Sequence, residues 1–204
     1  MVATNKMSKI EIDTFYPESK QQWRKWLQKN HKSKEAVWVI FYKQKAGKPT
    51  LTWSEAVEEA LCFGWIDSIR KTLDEERSIQ FFSKRKPGST WSKINKIKVQ
   101  NLTEAGLMTQ AGLDCIDIAK QNGSWTILDE VEKLIIPEDL DKAFTFQKGS
   151  KEYFLSLSKT DKKILLQWIA LAKTDTTRQR RIIEIVENAS NKQKPQQFRP
   201  KKNG

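Results

Sequence analysis

Hydrophobic and polar positions repeat along this chain with two different periods, and each change of period marks a new element. Trp23, Trp26 and Leu27 recur at i, i+3 and i+4 behind Pro17, which predicts a first helix with its indoles in a core. Ala36 to Tyr42 (A-V-W-V-I-F-Y) is apolar or aromatic throughout, as a central strand buried on both faces would be. Gln44 to Thr50, with Gly47 and Pro49, reads as a loop. Thr52 then opens a T-W-S-E capping box, in which Thr52 caps a backbone N–H and Glu55 reaches back to the helix start. The helix that follows places Trp53, Ala56, Val57, Ala60 and Leu61 on one face and Glu55, Glu58 and Glu59 opposite, and ends at Gly64.

Period two returns at Trp65 to Thr72 and Ser78 to Ser83, and the short charged turn between them predicts an antiparallel hairpin. Lys84 to Gly88 is a basic turn, after which Ser89 or Thr90 is expected to cap a helix carrying Trp91, Ile94, Lys98 and Leu102. Another helix is expected after Thr109, stopping at Asn122-Gly123. From Ser124 to Gln147 the chain is acidic yet holds Trp125, Phe144 and Phe146, so it reads as a packed connection. Three helical patterns follow, around Phe154, Leu165 to Ala172, and Ile182 to Val186, with Ser158 and Thr174 or Asp175 as starts for the last two. The fold class expected is α+β: a small antiparallel sheet packed with helices over residues 10–123, the acidic connection at 124–147, and a helical module over 148–190. Residues 191–204 turn polar and basic and are expected to be disordered.

Composition narrows the class. At 204 residues the chain can bury a core without disulfides or metal, and its two cysteines, Cys62 and Cys115, lie in apolar segments without CxxC spacing. Reduced, buried thiols are expected. The first thirty residues hold no apolar run of signal-peptide length, and no later window reaches membrane-span length, so the expected location is the cytoplasm.

Charge totals +12 and is unevenly spread. Residues 79–100 hold 6 basic residues and no acid, residues 113–147 hold 3 basic and 8 acidic, and residues 148–204 hold 14 basic and 5 acidic. Such stripes attract polyanions or serve solubility.

Candidate chemistry is polar and aromatic. In a strand from Trp65, Asp67 would share a face with Trp65 and Ile69, and if that face is internal its carboxylate needs a cation or several N–H donors, with Arg70, Lys71 or the Lys84–Lys86 turn as partners. Asn95, four residues after Trp91 on the expected helix, would join Ser92, Asp67 and Ser68 in one hydrogen-bonded cluster walled by Trp53, Trp65 and Trp91. That cluster is either a structural network or a pocket for a small polar or anionic ligand. Lys84, Arg85, Lys86 and Lys93, beside Phe81 and Phe82, mix cations with aromatics as single-strand nucleic-acid surfaces do, though alternate strand positions leave at most one phenylalanine exposed. Arg178 and Arg181 open the last helix, where the dipole disfavours cations, and call for either a bound anion or an ion pair with the acidic Asp129–Asp141 region.

Several classes drop out. The single histidine, His31, sits in a polar, surface-like segment, which leaves His-based metal sites and a nucleophile triad without a base. No phosphate loop, nucleophile elbow or dinucleotide fingerprint appears. No catalytic residues, metal site or cofactor are assigned.

Two blocks carry a family resemblance. One runs from Trp53 to Asn95, through W-S-E-A-V-E-E-A-L-C-F-G-W-I-D-S and F-F-S-K-R-K-P-G-S-T-W-S-K-I-N; the other is Trp168 to Val186, W-I-A-L-A-K-T-D-T-T-R-Q-R-R-I-I-E-I-V. With these motifs the chain resembles the YdeI or OmpD-associated family, often labelled bacteriocin-protection proteins, over most of its length. The resemblance implies a role in tolerance of peptide toxins or in stress, and identifies the 148–190 helices as an OmdA-like module. Three functions stand at this point: a non-enzymatic binding protein with an unknown protein or anionic partner, a nucleic-acid-associated protein using residues 79–100 and 148–204, and an enzyme built on Asp67 and Asn95.

Overall fold

The computed structural model describes residues 12–199. They fall into two compact units, one formed by residues up to 89 together with 94–122, the other by 90–93 together with the chain from 123 onward.

The first unit opens with a short strand β1 (Thr14–Phe15) and helix α1 (Lys20–Asn30), whose N-cap is Ser19, two residues beyond Pro17. Trp23 and Leu27 are fully buried, and Trp26 is half-buried. Strand β2 (Ala36–Tyr42) buries Val37, Val39 and Phe41 and leaves the alternate residues partly exposed, so the expected burial on both faces is replaced by one buried face. Bulky side chains shelter each other on the other face: Trp38 meets Phe81 edge to face at 5.0 Å, and the Lys71 ammonium lies 4.9 Å from the Trp38 ring. An all-apolar strand can therefore have an open side.

Helix α2 (Trp53–Cys62) carries the capping box in full, with Glu55 accepting from Thr52 N at 2.7 Å and Thr52 accepting from Glu55 N at 3.2 Å. Two residues do not follow the expected faces. Trp53 is 45% exposed, whereas Glu59 is buried, paired with Arg24 at 2.6 Å and Lys20 at 3.6 Å. At Gly64 the backbone turns left-handed at φ +72°, and a Cβ there would stand 2.6 Å from Cys115 Sγ and 2.9 Å from Ala111 O, so only glycine fits.

Strands β3 (Trp65–Thr72) and β4 (Arg77–Lys84) form the antiparallel hairpin, and β4 also pairs antiparallel with β2. With β1 parallel to β2, the sheet is mixed, in the order β1-β2-β4-β3. A two-residue edge strand is too short for a periodicity signal. Helices α3 (Lys93–Glu104) and α4 (Gln110–Gln121) follow. The helix expected from Ser89 or Thr90 thus begins later, which leaves Trp91 and Ser92 outside it and removes the one-turn relation between Trp91 and Asn95. Thr109, at the head of α4, donates through Oγ1 to Cys62 O at 2.6 Å.

The second unit is helical, with α5 (Asp129–Glu132), α6 (Glu138–Phe144), α7 (Ser150–Ser156), α8 (Lys159–Ala170) and α9 (Asp175–Ser190). Ser158 and Thr174 cap α8 and α9 by accepting from Asp161 N and Thr177 N. The acidic stretch supplies Leu128, Val131, Leu140 and Phe144 to the same core as Phe154, Leu165, Ile169, Ile182 and Val186. Its charge conceals a helical spacing of apolar residues.

Beyond Asn191, where composition predicts disorder, the chain makes a short 3-10 turn at Gln196–Phe198, with the Phe198 ring 5.3 Å from Trp168 and Lys194 paired to Asp161 at 2.7 Å. The last five residues of that expected tail lie outside the described ones. Trp91, in the 90–93 segment of this unit, is buried and packs on Trp125 at 5.0 Å. No described helix is long and apolar enough to cross a membrane.

Candidate functional site

Asp67 sits where β3 breaks step with β4. Asp67 pairs with Phe82 but Arg70 pairs with Gln80, so β3 has one extra residue, a bulge that turns Ser68 and Ile69 outward; Ile69 is 58% exposed and does not share an inward face with Trp65. The Asp67 carboxylate accepts from the Trp53 indole N–H at 2.9 Å and from the Gln80 amide at 3.1 Å, both on Oδ2. Gln80 also donates to Ser68 O at 3.1 Å. Of the two kinds of partner expected for this acid, a cation or several N–H donors, its hydrogen bonds come from neutral N–H groups.

The expected cations go elsewhere. Arg70 donates to Ser78 Oγ at 3.0 Å, Lys71 lies over Trp38, and Lys84 bonds Glu35 at 2.6 Å and Lys32 O at 2.9 Å. Arg85 is buried, and that burial pushes its guanidinium down to about 10 against the opposing pull of Cys115 and Asp67. It remains charged at neutral pH but lies in the interior of the unit. Lys86 is exposed in the turn.

Trp53 starts α2, Asp67 and Ser68 lie at the bulge, and Gln80 is inward on β4, so one helix end and two strands fix this polar surface. Beside Trp53, Ser54 donates to Glu58 at 3.1 Å and Lys98 of α3 bonds Glu58 at 2.6 Å. Burial is the largest single influence and raises the Glu58 carboxyl, but the bond and charge of Lys98, the Ser54 bond and the Lys20 charge together keep the group below its ordinary range. Trp65 is a core residue: fully buried, it donates to His31 O at 3.4 Å and meets Trp26 edge-on at 5.8 Å. Asn95 lies on α3, while Trp91, Ser92 and Lys93 belong to the second unit. The structure therefore joins Trp53, Asp67 and Ser68 of the expected cluster through Gln80, a residue the sequence reading passed over. The signal for Gln80 was present, since it is a polar residue at an inward position of an alternating strand.

In the helical unit Arg178 grips Asp139 with two bonds, 2.6 and 2.9 Å, and this holds the Asp139 carboxyl below its usual range. Arg181 donates to Trp168 O, with its guanidinium 5.2 Å from that ring. The dipole penalty at the start of α9 is offset by an acid. Lys93 helps Lys163 lower the Glu132 carboxyl, Lys163 being the larger cause. Cys62 and Cys115 are free thiols pushed up by burial, and His31 is half-buried, bonding Leu27 O at 2.9 Å and packing on Phe63. Among the described residues no group of three His, Cys, Asp or Glu could hold a metal ion.

Fold and site define a two-unit α+β protein with an aromatic and acidic surface tied into its sheet. Residues 133–192 match the family described as bacteriocin-protection, YdeI or OmpD-associated, so the helical unit carries a domain of that family. Residues 15–115, which hold the Trp53–Asn95 block and the Asp67 surface, match a separate domain family of unknown function, DUF8412. No curated protein and no solved structure matches the chain.

Proposed function

We propose that this chain is a non-enzymatic binding protein of the cytoplasm that contributes indirectly to tolerance of bacteriocins and other antimicrobial peptides, through a partner protein met by the Trp53–Asp67–Ser68 surface. The observation that carries this reading is the state of Trp53: a large aromatic side chain 45% exposed, yet pinned through its N–H to a carboxylate that is itself held by buried Gln80. Ordering such a ring in advance removes part of the entropy cost of binding, and exposed indoles are common anchors of interfaces. The positive charge of the chain disfavours direct capture of cationic peptides, which is why the role is indirect.

Nucleic-acid association through residues 79–100 and 148–204 ranks second, because Lys84 and Arg178 are engaged by Glu35 and Asp139 and Arg85 is interior. The test is a strain lacking the gene, complemented with the native chain, Trp53→Ala or Asp67→Asn, and challenged with a bacteriocin. Loss of tolerance in both variants, at unchanged protein level and with melting shifted by only a few degrees, is expected. Full tolerance with either variant removes this surface as the binding site.

A further inference from the structure

A second candidate site lies on the outer side of α1, on residues distinct from Trp53 and Asp67. A groove of about 550 Å³, within the range of small-molecule sites, is lined by Phe15, Gln22, Lys25, Trp26, Lys29 and Asn30. Its wall is aromatic: Trp26 stacks on Phe15 at 5.7 Å and on Trp23 at 5.1 Å, which fixes the indole plane. Three indoles of this unit, Trp23, Trp53 and Trp65, donate to Ala56 O, Asp67 and His31 O. Trp26 N–H has no hydrogen bond among the described residues. Asn30 donates to Trp26 O at 2.7 Å, which leaves its Oδ1 as an acceptor, whereas the Gln22 amide is occupied by Glu18.

The charges of α1 divide by face. Lys20 and Arg24 turn toward α2 and pair with Glu58 and Glu59. Lys25 and Lys29, both exposed, have no acidic partner among the described residues. At spacing i, i+4 they stand side by side, where like charges repel, and an anion between them relieves that repulsion.

We propose that this groove binds a phosphorylated nucleoside, its base against Trp26 and Phe15 and its phosphate between Lys25 and Lys29. Stacking accepts any base, and the Asn30 oxygen offers one acceptor to the ligand. The ligand comes either as a free mononucleotide or as part of a single strand.

The experiment uses the ¹⁵N-labelled full chain titrated with AMP, adenosine, inorganic phosphate and an oligoadenylate, following the amides of Phe15 and of Gln22 to Asn30. AMP is expected to shift these amides with millimolar or better affinity, and about tenfold more tightly than adenosine or phosphate. The exposed double variant Lys25→Glu/Lys29→Glu should weaken AMP by about tenfold or more with an unchanged melting temperature. Tighter binding of the oligoadenylate through the same amides makes the source a nucleic-acid strand; equal binding makes it the free nucleotide. The proposal is overturned by no shift at these amides up to about 10 mM AMP, by phosphate binding as well as AMP, or by a double variant that binds like the native chain. Because tolerance is not the readout, this result is independent of the Trp53–Asp67 reading.

Discussion

The N-terminal unit keeps charge inside, with Glu59 2% and Arg85 8% exposed among its indoles, whereas the helical unit packs an apolar core from Leu128 to Val186 and carries its ion pairs, Arg178–Asp139 and Lys194–Asp161, at partly exposed positions. The two solutions have different consequences. Apolar packing stabilises in proportion to area removed from water, and its loss is felt as a cavity. A buried ion pair adds little net stability over an apolar pair of the same shape, but removing one member leaves the other charge uncompensated. The sheet unit is thus the one in which specificity is written into polar contacts, and the helical unit the one in which bulk and shape carry the fold.

The largest effect expected from this difference lies in the helical unit. Phe154, 1% exposed and 5.3 Å from the Phe144 ring, should cost about 4 kcal/mol when cut to alanine. Urea unfolding followed by far-UV circular dichroism measures it. A loss under about 1 kcal/mol would mean that this core is loosely packed and the contrast between the units misplaced.

Next in size is the buried pair. Glu59→Gln should cost about 2 kcal/mol, because Arg24, three-quarters covered, loses its carboxylate at 2.6 Å. The double variant Arg24→Met/Glu59→Leu should recover most of that loss. If the double change is as damaging as the sum of the single ones, the pair is a net source of stability and the sheet unit resembles the helical one more closely than argued.

The smallest effect is a pH dependence. Asp139 is held below the usual carboxylate range by Arg178, so its contribution is fully present above the unfolded value of a carboxyl and disappears as pH falls through the lower folded value. Melting of the chain between neutral pH and about pH 3 should show an acid-side loss that is smaller by about 1 kcal/mol in Asp139→Asn, because that variant has no carboxylate there to protonate. Identical acid profiles for the two chains would remove Asp139 from the account.

How much of this was legible before the structure depends on the range of each contact. The Thr52 capping box, the turn at Gly64 and the caps Ser158 and Thr174 are local to a few residues, the Trp65–Lys84 hairpin joins neighbouring strands, and the sequence shows them all. Glu59 was assigned to the polar face of α2 because periodicity counts it as polar; its burial depends on Arg24, 35 residues earlier. Trp53 was assigned to the apolar face for the converse reason. Its exposure is set by the bulge that brings Asp67, 14 residues on, to its N–H. In the candidate cluster, Trp53 and Gln80 both donate to Asp67 and Gln80 also donates to Ser68 O, while Trp65 lies in the core.

The sequence by itself determined the α+β class, the starts of α2, α8 and α9, the hairpin and the family of the C-terminal residues, because those rest on local propensity and on motifs. Only the tertiary structure decided which charges are buried and which cations are already neutralised. Each of those outcomes depends on a partner brought close by the fold from a distant part of the chain, and no local pattern records that approach.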